Sequence, residues 1–518
     1  MPRHRREGPA SAGEVHAAAL RGHDARRRSG GGKPERRLPR RSAAQRGSRS
    51  AREHGPGRRA VLRRDRRPRR GQAGRPGRGH AAGPEAAGAV PILRRAAPVS
   101  GRPPGAYAGY VLALLTCLNL LDYLDRYIIA SVQSLVRKDF PLTDADYGLF
   151  GTLFFLVYLT TAPIFGYLGD RYPRRGILAL GAALWSLATA AWALARSYTW
   201  LLVSRGLVGI GEASFGTLSP PFLAEHFPVQ KRGRVMAVFF LTIPAGAALA
   251  YLIVPLLGEE RGWRFFFTLV GLPGLLLAVP IVFLKEPPRE PTDPADRKPL
   301  YHIVSSYREL IRSRSYLFTN LGYAALTFAI GGMAFWMPRY LETIKKISLE
   351  DSNRLTGGIV AGAGLLGTLA GGFAGDLLMR WTRRAYLLFS GLGVLAAIPF
   401  AWVAIVSGDR GTFAPCFALA IFFLFLNTGP LNAVILSVTP ARLRATAVAA
   451  NIVIIHILGD APSPFLIGWV SDRSSLQSGI LLAVAAMIVS GILLLIGSRY
   501  LPRDLERAAQ RSTVTEVS

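Results

Sequence analysis

The chain has few of the residues that build covalent or metal-bound sites. Only two cysteines, Cys117 and Cys416, occur in 518 residues, and both lie inside apolar runs. Their number and spacing exclude a disulfide framework or a cysteine-based metal site, so we interpret both as small core residues. Five of the eight histidines precede residue 106, and only His456 falls inside a long apolar stretch. We therefore predict neither a metal nor a cofactor.

Motifs for nucleotide-driven or hydrolytic chemistry are also missing. The sequence contains no Gly-x-x-x-x-Gly-Lys-Ser/Thr pattern, which argues against an ATP-driven pump. It contains no nucleophile elbow, and Ser131 and Ser214 have no convincing catalytic partners. We therefore predict that the chain is not an enzyme.

Charge is distributed very unevenly along the chain. Residues 1–105 hold 28 Lys and Arg against 7 Asp and Glu, a balance of +21. The remaining 413 residues hold 35 against 25, a balance of +10. The formal net charge of +31 therefore describes mainly the first fifth of the chain.

The first 105 residues are rich in Arg, Gly, Ala and Pro and have almost no aliphatic runs. Such a composition buries too little apolar surface to offset the entropy of ordering, so we predict a disordered basic segment. Its Arg-rich tract at 63–70 could bind nucleic acid or anionic lipid. However, 27 of its 28 basic residues are Arg, as out-of-frame reading of GC-rich DNA would give. We favour a start-site error of this kind, or an inert tail, over a functional tail, and we expect no nucleic-acid partner.

From residue 106 onward the chain is a series of apolar stretches. Each is long enough to cross a bilayer, which takes about 20 helical residues. We predict twelve spans, at 106–132, 146–168, 176–195, 199–224, 234–257, 263–285, 315–341, 355–379, 385–407, 412–438, 444–470 and 477–500.

The predicted fold is an all-α integral membrane protein with twelve transmembrane helices in two six-helix bundles. The first bundle covers 106–285 and the second covers 315–500. A polar linker at 286–314 separates them, and 501–518 form a tail. An internal repeat supports this division, because Gly-x-x-Gly-Asp followed by basic residues ends both the second span (166–170) and the eighth (372–376). Duplicated halves around a midplane site are typical of transporters.

Basic residues concentrate in the even-numbered loops. The positive-inside rule then predicts that these loops and both termini are cytoplasmic, in a multi-pass cell (inner or plasma) membrane protein. The residues that carry this prediction are Arg171, Arg174, Arg175, Lys231, Arg232, Arg234, Arg380, Arg383 and Arg384.

Two of these patterns resemble a known superfamily. Gly166-x-x-x-Asp170-Arg171-x-x-Arg174-Arg175 and Arg205-x-x-x-Gly209-x-Gly211-Glu212 are similar to the second-loop and fourth-helix motifs of the major facilitator superfamily. The segments 122–127, 205–213 and 456–464 resemble more narrowly the Spinster-like lipid transporters. The similarity covers about residues 106–500.

This resemblance implies a secondary transporter that works by alternating access. By analogy with the family, we expect a monomer in the lipid bilayer that carries protons and a small amphipathic substrate, a lysophospholipid or a sphingoid-type lipid. One position departs from the family pattern, because the first-helix motif usually begins with Asn and here begins with Asp122. An extra acid there could alter the proton stoichiometry.

Charged residues at membrane depth are the first candidates for function, because they are costly unless paired or hydrated. Asp122 and Arg126 are four residues apart on one helix face, and Arg205 and Glu212 share a face of the fourth span. Together with Asp125 they form a hypothetical proton-coupling cluster. The alternatives are a permanent ion-pair network and a role for Arg205 in binding an anionic headgroup.

His456 and Asp460 lie one helical turn apart in the eleventh span. Such a pair can relay protons near neutral pH, or it can simply be a satisfied interhelical hydrogen bond. Pro462 and Pro464 follow directly and should break or kink the helix.

Two further groups of residues complete the candidate sites. The first group is predicted to form a cytoplasmic gate. Alternatively, these residues are solvated and only determine the orientation of the chain in the membrane. They are Gly166, Asp170, Arg171, Arg174, Arg175, Arg232, Arg234 and Asp376. The second group is predicted to line the cavity. Alternatively, each of its aromatic residues only packs in the core or faces lipid. The group consists of Tyr123, Tyr158, Phe215, Phe328, Trp336, Asn427, Asn432 and Asn451.

Two other functions fit parts of the pattern. A transporter of small organic anions or sugars on the same fold would use Arg126 and Arg205 to clamp a carboxylate. A non-transporting membrane sensor or scaffold would use the Arg-rich segment as its output. The internal repeat favours a transporter over a sensor. The resemblance to the Spinster-like family, together with the mostly apolar and aromatic cavity candidates, favours the lipid-like substrate.

Overall fold

A computed structural model describes residues 105–287, 307–440 and 443–517. These residues form helices and short connections, and none of them lies in a strand. The predicted basic segment, up to residue 104, and residues 288–306 of the predicted linker lie outside the described residues. The predicted all-helical architecture is confirmed.

The helices before residue 288 are called the first group here. In chain order they are α1 Gly105–Ser131, α2 Gln133–Asp139, α3 Asp144–Arg171, α4 Arg174–Trp192, α5 Tyr198–Glu225, α6 Val229–Phe240, α7 Thr242–Leu257 and α8 Gly262–Val282. Within this group α4 packs against α5 and α8, α3 against α5, and α1 against α7.

The helices after residue 306 are called the second group. They are α9 Arg314–Thr343, α10 Leu349–Leu378, α11 Ala385–Val406, α12 Arg410–Phe425, α13 Thr428–Ser437, α14 Arg444–Ile455, α15 Ser463–Arg473 and α16 Leu476–Val517. Here α16 packs against α9 and α11, while α3 meets α15 and α7 meets α10 across the two groups.

Within the described residues, eleven helical stretches are long and apolar enough to cross a membrane. α5 is not among them, but its 28 residues extend about 42 Å and it packs along α3 and α4, so we count it as the twelfth span. The last helix, α16, has 42 residues and continues through most of the predicted tail.

Three predicted spans are interrupted along their length. The span at 234–257 divides into α6 and α7, that at 412–438 into α12 and α13, and that at 444–470 into α14, a π-helical turn at His456–Asp460 and α15. A proline ring clashes with the carbonyl group four residues before it. Each interruption lies close to such a carbonyl group. The three prolines are Pro244, Pro430 and Pro464.

One prediction for a cysteine is wrong. Cys117 is exposed on the surface of α1, whereas Cys416 is partly buried. A cysteine is apolar enough to face lipid, so its position in an apolar run did not distinguish a core residue from a bilayer-facing one.

Glycines allow α5 to lie close to two neighbouring helices. A Cβ atom on Gly209 would lie 2.8 Å from the Phe154 carbonyl oxygen of α3. A Cβ atom on Gly211 would lie 2.6 Å from the Trp185 backbone nitrogen of α4. Small residues at both contacts bring three backbones together around Glu212, which is completely buried.

We expect Gly211→Ala to destabilise the protein by about 1–3 kcal/mol, because the added methyl group has no space between α4 and α5. Gly176→Ala on α4 is the matched control, since a methyl group there would meet no heavy atom within 4 Å. Thermal unfolding of the purified full-length variants measures the difference. Equal melting temperatures for the two variants would contradict this account of the α4–α5 contact.

Candidate functional site

The centre of the first group contains an ion-pair cluster around Arg126 of α1. Its Nη2 atom donates to Asp122 Oδ2 at 3.1 Å and to Glu212 Oε2 at 2.7 Å. Its Nε atom also donates to Glu212 Oε2, at 3.2 Å. The i, i+4 spacing on α1 and the close approach of α5 therefore bring both carboxylates to one guanidinium group.

Asp125 points to a different side of α1 and meets a second set of partners. Thr189 of α4 donates to Asp125 Oδ2 at 2.7 Å, and Arg205 Nη1 lies 3.9 Å from Asp125 Oδ1. Arg205 Nη2 also donates to the Arg126 carbonyl oxygen at 3.3 Å. The five predicted charged residues of α1 and α5 are thus assembled into one cluster.

Aromatic rings surround the Arg126 guanidinium group. Its Cζ atom lies 4.7 Å from the ring centroid of Tyr123, 5.1 Å from that of Phe154 and 5.6 Å from that of Tyr158. Arg205 lies against the same Phe154 ring, at 4.5 Å. The side chain of Arg126 is 14% exposed and that of Arg205 only 3%, so Arg126 is the cation that a ligand could reach.

A second polar pair lies in the second group, facing the first. His456 Nδ1 is 2.8 Å from Asp460 Oδ1, and the His456 ring stacks on Phe155 of α3 with centroids 5.5 Å apart. The preceding residue of α3, Phe154, lies against Arg126. α3 therefore contacts both polar sites.

The π-helical turn gives the His456–Asp460 pair its position. Ala461 N donates to the His456 carbonyl oxygen, five residues earlier. Pro464 has no N–H for the Asp460 carbonyl oxygen, which accepts a hydrogen bond from Ser463 Oγ instead. Single π-turns of this kind occur frequently at functional sites.

The other predicted cavity residues divide into buried and exposed positions. Phe215 and Trp336 are completely buried, and Trp336 Nε1 donates to the Pro464 carbonyl oxygen. In this conformation both serve packing. Of the remaining four, Phe328, Asn427 and Asn451 are buried and Asn432 is exposed.

Five of the predicted gate residues lie where α3 ends and α4 begins, whereas Arg232 and Arg234 lie on α6 and Asp376 lies on α10 of the second group. Arg174 is the best connected of them, because it pairs with Glu225 at 2.5 Å and with Glu286 at 3.1 Å. Glu286 also accepts hydrogen bonds from the backbone nitrogens of Arg174 and Arg175. Neither Glu225 nor Glu286 was predicted, since both follow apolar stretches and resemble ordinary helix-end charges.

The remaining gate candidates have local contacts. Arg171 stacks on the Tyr167 ring, Arg232 donates to the Phe227 carbonyl oxygen, and Tyr386 donates to Asp376 at 2.8 Å. Gly166, Asp170 and Arg234 lie at the same surface, where Asp170 and Arg234 are exposed.

A contact between the two groups at the opposite end of α3 was missed by sequence reasoning. Asp472, at the end of α15, accepts hydrogen bonds from the backbone nitrogens of Asp144 at 2.7 Å and Ala145 at 2.8 Å. Thr143 Oγ1 accepts a hydrogen bond from the backbone nitrogen of Asp146. The first three N–H groups of α3 are therefore satisfied, two of them by a carboxylate from the other group.

Further hydrogen bonds join the two groups near this contact. Ser134 bonds Glu342, Gln133 Nε2 donates to the Phe335 carbonyl oxygen at 2.8 Å, and Asn353 Nδ2 donates to the Ser131 carbonyl oxygen at 2.9 Å. We call this set, with Asp472 and the start of α3, the inter-group contact. The sequence held one signal for it, because Gly468-x-x-Ser471-Asp472-Arg473 repeats the pattern of 166–171.

Comparisons with known proteins agree with this architecture. The model of the Major Facilitator Superfamily matches residues 115–464. Protein spinster homolog 1 of Xenopus tropicalis is 30% identical over 430 residues, which is 77% of this chain and 82% of that protein.

Two solved structures share the fold. One is a bacterial homologue of the human lysosomal transporter Spinster in an inward-facing, unoccupied conformation, with a TM-score of 0.70 and 22% identity over 78% of this chain and 99% of that one. The other is a D-xylose–proton symporter, with a TM-score of 0.61 and 15% identity. That match covers 75% of this chain and 97% of the symporter.

The chain is therefore a multi-pass membrane transporter of the major facilitator superfamily, and not an enzyme. Within that superfamily it belongs to the Spinster family. Both assignments confirm the resemblance found in the sequence.

The Glu286 contact with the start of α4 gives a pH-dependent prediction. Burial raises the pKa of the Glu286 carboxyl, but hydrogen bonds from Arg174 and Arg175 outweigh it and lower the pKa below the usual 4.5. The ionised carboxylate therefore stabilises the fold above about pH 4.5, and this contribution is lost as the pH falls through the lowered pKa.

Glu286→Gln should lower the free energy of unfolding by about 1–2 kcal/mol at pH 7. The difference from the unsubstituted protein should shrink as the pH falls below 4.5 and passes through the lowered pKa of Glu286. Thermal unfolding at pH 7 and at a series of acidic pH values measures this, with the exposed Glu259→Gln as the control. A difference independent of pH would contradict the role of the charge.

Proposed function

We propose that the chain transports an amphipathic, lipid-like substrate of the lysophospholipid or sphingoid type, coupled to protons, by alternating access. The observation that carries the proposal is the partly exposed Arg126 guanidinium group among aromatic rings, paired with the completely buried Glu212. A guanidinium group recognises phosphate and carboxylate oxygens through several hydrogen bonds. The rings beside it offer apolar surface to the rest of an amphiphile.

Proton coupling follows from sharing Arg126 between substrate and carboxylate. An anionic headgroup that takes hydrogen bonds from Arg126 withdraws them from Glu212, which holds two in this structure. A buried carboxylate without its cation is costly, so Glu212 then takes up a proton. Substrate binding and proton binding are thereby linked through one side chain.

Alternating access requires that one end of the protein be closed while the other opens. The inter-group contact closes the end at which α3 begins. The positive-inside rule places the basic ends of α3, α4 and α10 in the cytoplasm, and so places the inter-group contact on the outer side. Both termini are then cytoplasmic, and Asp170 and its basic neighbours form the gate of the inner side.

A transporter of small organic anions or sugars is the second candidate, and the D-xylose symporter shares the fold. That function would use Arg126 and Arg205 together as a clamp. In this structure Arg205 is buried against Phe154 and donates to the backbone of α1. A single reachable guanidinium group within an aromatic surface favours the amphiphile.

Transport into proteoliposomes tests the proposal. With an imposed pH gradient, the protein should accumulate at least one member of a lysolipid panel and no hexose or hexuronate. Asp125→Asn and Glu212→Gln should each reduce proton-driven accumulation at least about tenfold while leaving measurable substrate binding, because each removes an ionisable group without removing Arg126. Glu259→Gln, at an exposed loop, is the matched control.

Three results would count against this proposal. Hexuronate uptake without lysolipid uptake would favour the second candidate, and absence of any flux would favour a sensor. Retention of pH-dependent transport in both variants would show that the cluster does not couple protons.

The inter-group contact provides a test of alternating access. Asp472→Ala removes the two acceptors at the start of α3, and loss of such a capping carboxylate costs about 1 kcal/mol. We expect the ratio of open to closed protein at this end to rise about fivefold. Spin labels at the exposed Lys138 and Ser474, with both native cysteines replaced by serine, report the distance between the groups.

Asp409→Ala is the matched control for this measurement. Asp409 also caps a helix, α12, but both the carboxylate and the capped helix belong to the second group. Its loss should leave the distance distribution unchanged. If Asp472→Ala also leaves the distribution unchanged, Asp472 does not hold this end closed.

A further inference from the structure

The second group has an apolar groove on its surface, between α10 and α11. Both helices pack along α12 but make few contacts with each other, so α12 forms the floor of the groove. Its volume is about 360 Å³, which is within the range of sites that bind small molecules. The side chains that line it are almost all apolar, and they include Leu378, Leu388, Phe389, Leu392, Ala396 and Phe423. We call it the α10–α11 groove.

The α10–α11 groove is about as long as one leaflet of a bilayer is thick. Its lining on α11 runs from Ala385, the first residue of that helix, to Ala396, a distance of about 16 Å. Half of the hydrocarbon core measures about 15 Å. One turn beyond Ala396, Phe400 stacks on Phe423 of α12 with ring centroids 5.8 Å apart, and there the two helices meet. The groove therefore has the dimensions of one acyl chain that enters from the headgroup region.

Arginines lie at the end of the groove where α10 is joined to α11. Arg380 and Arg384 are exposed, and neither pairs with a carboxylate among the described residues. Arg383, between them, pairs with Glu506 of α16 at 3.0 Å. Trp381 is 79% exposed in the same loop, and tryptophan is enriched at the level of the lipid headgroups. Two free guanidinium groups thus stand at headgroup level, beside the open end of an apolar groove.

The charge at this end favours an anion. Asp376 and Glu506 are the carboxylates that contact this region, Asp376 through Tyr386 and Glu506 through Arg383. Against three arginines they leave a net positive charge. A guanidinium group binds phosphate oxygens through paired hydrogen bonds. Basic residues beside membrane helices are the usual recognition site for anionic lipid headgroups.

We propose that the α10–α11 groove binds one anionic phospholipid of the surrounding membrane, with its phosphate at Arg380 and Arg384 and one acyl chain between α10 and α11. A second copy of this chain is a poorer occupant, because a symmetric contact would bring two sets of the same arginines together. In the proposed orientation the lipid belongs to the cytoplasmic leaflet. The site is separate from the Arg126 cluster, and the proposal does not depend on what the chain transports.

Native mass spectrometry of the purified full-length protein tests the proposal, with dioleoyl phosphatidylglycerol and dioleoyl phosphatidylcholine titrated separately. The acyl chains are identical, so the comparison isolates the headgroup. One molecule of phosphatidylglycerol should bind about tenfold more tightly than phosphatidylcholine, because its net negative charge meets two free arginines. Glycerol 3-phosphate, which has the phosphate but no acyl chain, should not displace it at equal concentration.

Variants of the arginines test the headgroup contact. Arg380→Gln combined with Arg384→Gln should weaken phosphatidylglycerol binding about tenfold, to the level of phosphatidylcholine. Lys231→Gln combined with Arg234→Gln is the matched control, since it makes the same change of charge at exposed residues of the first group. This control should retain the preference for phosphatidylglycerol.

Variants of the lining test the acyl-chain contact. Ala396→Phe places a ring inside the groove and should weaken the binding of both lipids, whereas Ala485→Phe, at an exposed position of α16, should not. Leu388 also lines the groove and is 38% exposed, so Leu388→Trp obstructs it with little change to the core. It provides the same test if Ala396→Phe does not fold, which the elution profile of each variant shows.

Four results would overturn the proposal. Equal affinity for the two lipids in the unsubstituted protein, or equal loss in both charge variants, would mean that Arg380 and Arg384 do not form a site. Displacement by glycerol 3-phosphate would mean that the arginines bind a free phosphate. Unchanged binding in folded Ala396→Phe and Leu388→Trp would place the lipid elsewhere, and a dimer that either variant dissociates would make a second copy the occupant. Absence of lysolipid transport would leave these affinities as predicted.

Discussion

The structure depends on the sharing of one guanidinium group, that of Arg126, between two buried carboxylates. Each charged member of this cluster would be costly alone at membrane depth, and each is tolerable because an opposite charge lies beside it. In the proposed mechanism an anionic ligand replaces a carboxylate as the partner of Arg126, so the balance of charge changes without unfolding. A permanent structural lock would instead place every cation beyond reach, as the structure does for Arg205.

Backbone geometry makes this cluster possible. Gly209 and Gly211 let α5 approach α3 and α4 so closely that Glu212 meets the α1 charges in a space closed to solvent. In the second group, the π-turn at His456–Asp460 places a second polar pair against Phe155 of α3. Residues without side chains, and prolines without an N–H, thus determine where the charged residues can meet.

Most of the first-group cluster could be predicted from the sequence, because helical spacing places Asp122 beside Arg126 and Arg205 on the face of Glu212. Local spacing gives no such information about contacts between distant segments. The bond from Asp472 to the start of α3 joins residues more than 300 positions apart, and Glu286 reaches back to Arg174 over 112. Pro462 and Pro464 predicted the break in the eleventh span, whereas the breaks near Pro244 and Pro430 were missed, since hydropathy averages across a proline that interrupts a helix.

The cluster and the inter-group contact are linked by rigid helices. α1 carries Arg126 and ends at Ser131, whose carbonyl oxygen accepts the hydrogen bond from Asn353 of the second group. α3 carries Phe154 against both guanidinium groups and begins at the amides that bind Asp472. A rotation of α1 or α3 that follows a change of partner at Arg126 therefore strains bonds between the groups only one to three helical turns away. The proposed alternating access needs such a connection between the Arg126 cluster and the inter-group contact, and α1 and α3 are the helices that join them.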